Sequence, residues 1–248
     1  WTLDNHHPDA FHRKGIFSVE HTTPERFGIP FDCLYSVNVP NLMFAGRDIS
    51  ATHMGLSSTR VMSTCALLGQ AAGTGVRKDH IAELQDMLED DDSMLPYRWR
   101  KPSELTMSAT TADSNLPLRN GIDRKWDGED NGVWVAPGDE SIVYSWKKPV
   151  ELTGVRIIFD SDFKYRSKRM RKLEATTERV EMPKMMAKGF KVEAKVKNEW
   201  ITLYEDTDNY LRLRHIKFDE PVKAKELRLV VTSTWGAEQA HIFAFDAK

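Results

Sequence analysis

The chain has 248 residues, with 35 Lys and Arg against 37 Asp and Glu, a net charge of −2 and 40% hydrophobic residues. That length suits one or two domains with real cores, and the balanced charge supplies no chain-wide field for nucleic acid or an anionic membrane, so neither is expected as a partner. Two cysteines, Cys33 and Cys65, are too few for a disulfide framework and lack zinc-site spacing, and no apolar run approaches the ~20 residues of a membrane-spanning helix.

The opening, WTLDNHHPDAFHRKG, has neither a charged leader nor an apolar h-region and reads as the middle of a domain. Localisation is therefore left open, with periplasmic and extracellular placement both compatible. Asp4, His6, His7 and His12 gather polar groups in a loop-like stretch, without the fixed face that a metal site wants. NLMFAG, residues 41–46, reads as a short buried strand ending in glycine. From Ser58 to about Arg77, Val61, Cys65, Leu68, Ala72 and Val76 recur at helical spacing, with Ser57 or Ser58 as N-cap. A second amphipathic helix follows from Asp79 as cap, with Ile81, Leu84, Met87 and Leu88 turned inward.

Residues 96–104, with an acidic run before them and Pro96 and Pro102 within, read as a linker between a domain over 1–95 and another over 105–248. Beyond the linker the period becomes two. Ile142, Tyr144 and Trp146; Val155, Ile157 and Phe159; Phe190, Val192, Ala194 and Val196; and Leu227, Leu229 and Val231 mark strands buried on one face. The expected fold class is mainly β: an antiparallel sandwich preceded by a short α/β piece.

Gly69, Gly73 and Gly75 fall inside the first helix, where each costs roughly 1 kcal/mol relative to alanine. Either the helix packs closely on a neighbour there, or a flat cofactor approaches its start, where unpaired N–H groups favour electron-rich oxygen. His53, in the loop before the helix, is a candidate proton donor or acceptor, or an ordinary polar loop residue. Arg60 is a candidate partner for an anionic substrate or cofactor oxygen, or for a carboxylate in polypeptide outside this chain. The basic run KYRSKRMRK, 164–172, reads by default as a solvated loop rather than a polyanion patch. In the acidic turn 120–132, Asp123, Asp127 and Asp130 are hard oxygen groups of the kind calcium takes, but the spacing is not an EF-hand loop and solvated turn carboxylates are the default. Among Trp126, Trp134, Trp200 and Trp235, Trp126 in its charged turn is the best candidate for an exposed ring.

The string NLMFAGRDISATHMGLSSTRVMSTCALLGQAAGTGV, 41–76, resembles the closing FAD-contact segment of the FAD-dependent oxidoreductase family. Its pieces are Ala45-Gly46-Arg47, Arg60-Val61-Met62-x-Thr64 and Gly69-Gln70-Ala71-Ala72-Gly73. The resemblance implies that Gly46, Arg47 and Asp48 contact the ribityl and pyrophosphate region, and that Met62, Ser63 and Thr64 open a helix aimed at the isoalloxazine. It also implies a substrate-side role for the Asp-x-His-His-Pro segment. The G-x-G-x-x-G turn that holds the ADP half in such enzymes does not occur in these 248 residues. The chain is therefore expected to be a C-terminal fragment of the oxidoreductase. Its expected partner is the missing N-terminal part of the FAD domain, with FAD held by the full-length protein and none by the fragment. Uncovered apolar surface should bring a homo-oligomer, or disorder before residue 40.

Residues 105–248 resemble the galactose-binding-like, or discoidin-like, sandwich appended to some of these flavoproteins. That resemblance implies either a structural lid on the FAD domain or a carbohydrate site, with Trp126 as the candidate ring that stacks on a sugar. The rival to an enzyme fragment is accordingly a carbohydrate-binding module of a polysaccharide-processing, lyase-associated protein, although no acid–base constellation supports lyase chemistry.

Overall fold

The computed structural model describes residues 2–9, 12–22, 27–74, 80–138, 140–162 and 181–248. The described residues fall into two compact units, one up to Arg98 and one from Trp99 onward. The basic run 164–172, Gly75, Val76 and the Asp79 cap lie outside the described residues.

The first unit opens with a hairpin of β1 (Leu3–His6) and β2 (Ser18–His21), paired from Leu3–His21 to His6–Ser18. This hairpin stands where disorder was the alternative expectation. The stretch 41–46 is not a strand: Met43 makes only an isolated bridge to Tyr35, and Phe44 N–H donates to the Leu34 carbonyl at 2.7 Å. A strand needs a backbone neighbour along its length, and among the described residues only that short stretch supplies one.

The single helix expected from Ser58 is two helices, α1 (His53–Thr59) and α2 (Met62–Thr74). Thr52, not Ser57 or Ser58, caps α1: its backbone is extended and its Oγ1 accepts the Gly55 N–H at 3.1 Å. Ser57, Ser58 and Thr59 are buried inside α1, where their hydroxyls donate to the carbonyls of His53 and Gly55. Three consecutive hydroxyls competing for backbone acceptors suit a helix end, and α1 stops at Arg60. In α3 (Ile81–Asp90), Leu84 and Leu88 turn inward as expected, but Met87 is exposed. Leu34, Ile49 and Leu68 form a small core joined by Phe31, Cys33, Met43, Ala45 and Ala71.

The second unit is mainly β. After α4 (Glu104–Ser108), its strands are β3 (Val133–Val135), β4 (Ser141–Phe159), β5 (Ala187–Val196), β6 (Glu199–Asp206), β7 (Leu213–Thr234) and β8 (Ala240–Ala247). They run antiparallel in the order β3-β8-β4-β7-β5-β6. The two strands expected around Tyr144 and Ile157 are halves of β4. Its pairing with β7 shifts register between Ser145 and Val150, around Pro149, and again between Leu152 and Gly154. Those irregularities let the β4–β7 pair pass from one layer to the other. The first half of β4 joins the second half of β7 and then β5, while the second half of β4 lies between β7 and β8.

The inner faces meet in one core. Tyr144 stacks on Phe245 at 5.2 Å and donates to its carbonyl at 2.9 Å, and Phe159 packs on Phe190 at 5.1 Å. Burial pushes the Tyr144 phenol above its usual range, with the Asp246 charge adding to it. The unit's first helix is tied to its last strand: Ser103 caps α4 and donates to the Ala247 carbonyl, and Thr106 Oγ1 accepts the Ala247 N–H at 2.8 Å.

Candidate flavin-facing site

The site is built from the turn and the helix that the sequence singled out. Ala45 is extended and Gly46 has φ +66°, a left-handed turn that favours glycine. A 3-10 turn, Gly46–Asp48, follows and packs against α2, with the place of a Gly46 Cβ 3.9 Å from Cys65. Arg60 and Val61 separate α1 from α2, and the Cys65 N–H donates to the Val61 carbonyl at 2.9 Å in the first turn of α2. Gly46, Arg47 and Asp48 thus sit on the helix that Met62, Ser63 and Thr64 begin.

Only Leu68 of α2 is buried. Met62, Ala66, Gly69 and Gly73, spaced four, three and four residues, form one exposed stripe, with Met62 85% exposed. Among the described residues, no atom outside the helix's own nearby backbone lies within 4 Å of the place of a Cβ on Gly69 or Gly73. Close packing against the described residues of this unit therefore does not account for these two glycines.

Beside the helix start lies a polar cluster. Asp4 on β1 accepts from Ser18 Oγ at 2.5 Å, pairs with His6 Nε2 at 2.8 Å, and receives Arg60 Nη2 on its backbone carbonyl at 3.0 Å and its carboxylate at 3.3 Å. The Ser18 hydrogen bond, against the opposing effect of burial and with help from His6 and Arg60, holds the Asp4 carboxyl below the usual range. Arg60 is therefore paired within its own unit. His53 opens α1, and its Nε2 contacts the His6 carbonyl at 2.9 Å. His7 Nδ1 accepts the Asp9 N–H, and His12 N–H donates to the Asp9 carbonyl, apart from the Asp4–His6 pair.

In the second unit the acidic turn is spent on ion pairs. Asp123 is buried against Arg100 at 2.9 Å and Arg156 at 2.8 Å, and Arg100 also pairs with Asp246. Burial raises the Asp246 carboxyl above its usual range despite the two guanidinium groups. Asp130 contacts His241 and accepts the Trp134 indole N–H at 3.2 Å, while Asp127 lies in a left-handed turn with φ 53°. The three proposed calcium carboxylates are not gathered at one point, and no group of three or more metal-ligating side chains occurs among the described residues. Trp126 is half-buried and edge-on to Trp99 at 4.6 Å, so it is not a freely exposed ring.

Residues 1–78 match the FAD dependent oxidoreductase family. The matched part contains the Gly46–Asp48 turn, all of α2 and the Asp4 cluster. Three solved structures resemble the sandwich. The family 32 carbohydrate-binding module of Streptococcus pneumoniae EndoD is 18% identical, with 59% of this chain covering 99% of that one at a TM-score of 0.43. The family 32 module of Clostridium perfringens NanJ, solved with galactose, is 14% identical, with 59% covering 97% at 0.39. Chitosan-binding module 1 of the Paenibacillus sp. IK-5 chitosanase/glucanase is 14% identical, with 59% covering 98% at 0.38. At these scores the description of the second unit rests on its own strands. A search of curated proteins found no match.

Ser18 is the participant that sequence reasoning missed. It lies 14 residues from Asp4, and only the hairpin register makes the two meet. Trp134 was treated as one ring among several, whereas its cross-strand pairing with His241 distinguishes it. Among the described residues no helix is long and apolar enough to cross a membrane, which says nothing of strands.

Proposed function

We propose that the first unit supplies the isoalloxazine side of an FAD site in an oxidoreductase, and that other polypeptide supplies the dinucleotide-binding turn. The observation that carries this is the open stripe Met62–Ala66–Gly69–Gly73, beside the Gly46–Asp48 turn, within the segment that matches the flavoprotein family. The glycines leave flat space against the helix, and the N–H groups of the first turn of α2 suit the electron-rich edge of a flavin. Gly46, Arg47 and Asp48 contact the ribityl and phosphate region, and Met62, Ser63 and Thr64 the ring. Bound FAD supplies hydride acceptance. Arg60 holds Asp4 in place, Asp4 orients His6, and His6 and His53 are the groups able to exchange a proton with substrate.

The test is photolabelling of the chain with a photoactivatable flavin, followed by peptide mapping. Labels should concentrate in residues 45–48 and 62–73, and the chain purified alone should carry no flavin colour. Stoichiometric flavin on the isolated chain, or labels scattered over the sandwich, would refute the reading.

A second reading, carbohydrate recognition by the sandwich, is favoured by the half-exposed Trp134, whose orientation is set by its stack on His241 and its bond to Asp130. Titration with neutral oligosaccharides, followed at the Trp134 indole resonance, decides it. Saturable shifts support a glycan site, and a silent spectrum leaves the sandwich as a structural lid.

A further inference from the structure

We propose that His241 is a proton-operated latch: it holds the turn around Asp130, the edge strand β3 and the Trp134 ring onto the sandwich, and it lets them go when the imidazole loses its second proton.

His241 lies on β8 with no exposed surface. It is the cross-strand partner of Trp134 on β3, and the two rings stack 4.2 Å apart at 15°. Each ring nitrogen faces a carboxylate. Nδ1 is 2.8 Å from Asp160 Oδ2, and Nε2 is 2.9 Å from Asp130 Oδ1, close enough for an ion pair although not aligned as a hydrogen bond. A neutral imidazole has one N–H and one lone pair, and a lone pair 2.9 Å from a carboxylate oxygen is repulsive. The arrangement therefore fits the doubly protonated ring, flanked by two carboxylates and stacked on an indole.

Among the described residues, the other charged groups around the ring have their own places. Lys125 Nζ is 3.4 Å from Asp160 Oδ2 and 5.7 Å from the centre of the Trp134 ring. The Asp162 N–H donates to Asp160 Oδ1 at 2.7 Å. Arg212 reaches the ring of Phe243, which meets His241 edge-on, and donates to the Asp123 carbonyl. From residues 181–186, the Met185 carbonyl accepts the His241 backbone N–H at 3.0 Å.

The two carboxylate arms are unequal. Asp160 is buried; burial alone would raise its carboxyl, but the His241 and Asp162 hydrogen bonds, with the His241 and Lys125 charges, hold it below the usual range. Asp130 is half-exposed and can return to water at little cost. A neutral His241 therefore keeps its one N–H on Asp160 and presents a lone pair to Asp130.

Release of Asp130 carries the strand with it. Gly132 crosses directly over the ring: a Cβ there would stand 2.3 Å from His241 Nε2 and 2.9 Å from the Ile242 carbonyl. Trp134 is bound to Asp130 through its indole N–H. β3 itself is only three residues long and pairs with β8 at three positions. An edge strand this short depends on its side-chain clips.

The test is hydrogen exchange by NMR on the whole chain, at the indole N–H of Trp134 and the amides of residues 130–135, corrected for the intrinsic pH dependence of exchange. As the pH is raised from acid to alkaline, protection in this segment should fall at least about tenfold while β5 and β7 keep theirs. In Asp130→Asn, which removes one half-exposed charge and leaves an acceptor for the indole, the segment should already be weakly protected at acid pH and the pH step should shrink. His241→Phe should abolish the step. Equal protection at both pH values, or an undiminished step in Asp130→Asn, would overturn the latch.

Discussion

The first unit rests on Leu34, Ile49 and Leu68 with a few half-buried neighbours, and leaves Ile16, Phe17, Val37 and Met62 more than half exposed. The second unit closes two layers over a continuous core and buries Arg100, Arg156, Asp123 and Asp246 beside it. Both units leave some apolar side chains in water, Met107 and Tyr210 in the second among them, but only the second has a core large enough to hold a cluster of buried charges. Size of the core, as well as secondary structure, separates them, and the proposed flavin-facing surface belongs to the unit with the smaller core.

The largest effect expected from this contrast is in the second unit. Asp123→Ala strips the counter-charge from two buried guanidinium groups and should cost about 3–5 kcal/mol in urea unfolding. Tryptophan fluorescence reads this unit almost alone, because six of the seven tryptophans, all but Trp1, lie at or beyond Trp99. In the first unit Leu68→Ala should cost only about 2 kcal/mol, the low end for core truncation, because its half-open surroundings can collapse or hydrate. A loss equal to that of a sandwich-core truncation would show a tighter first unit than the comparison allows.

Acid titration sharpens the comparison. The Asp4 carboxyl is held below its unfolded value of 3.8, so the stability it contributes is present above that pH and is lost as pH falls through the lower folded value. Asp160 and Asp206 act in the same direction in the sandwich, whereas Asp246, raised by burial, opposes them, because its protonation favours the folded state. Ser18→Ala should therefore flatten the acid dependence of the helical circular-dichroism transition and leave the fluorescence transition unmoved. A shift in both would mean that the two units do not unfold independently.

The smallest effects concern the helices. Thr52→Ala removes the cap of α1 and should cost about 1 kcal/mol. Gly69→Ala should stabilise the isolated chain by up to about 1 kcal/mol, since no described residue stands where the methyl would go. The bulkier Gly69→Leu should expel flavin from any assembly that retains it. Destabilisation of the isolated chain by Gly69→Ala would mean that a neighbour already fills that face.

The sequence alone determined the period-two strands around Tyr144, Ile157, Val192 and Leu229, the inward face of α3 at Leu84 and Leu88, and the family resemblance of residues 41–76, because these are properties of short windows. It did not determine the break at Arg60, which depends on hydroxyls finding backbone acceptors, or the union of two apparent strands into β4, which depends on β7 and β8 pairing along its length. Nor did it reveal that Ser18 meets Asp4, or that His241 lies between Asp130 and Asp160, 111 and 81 residues earlier in the chain. Partners so far apart are chosen by register and by closure of the sandwich. Local pattern carries element type, whereas charge pairing at a distance exists only once the chain has folded.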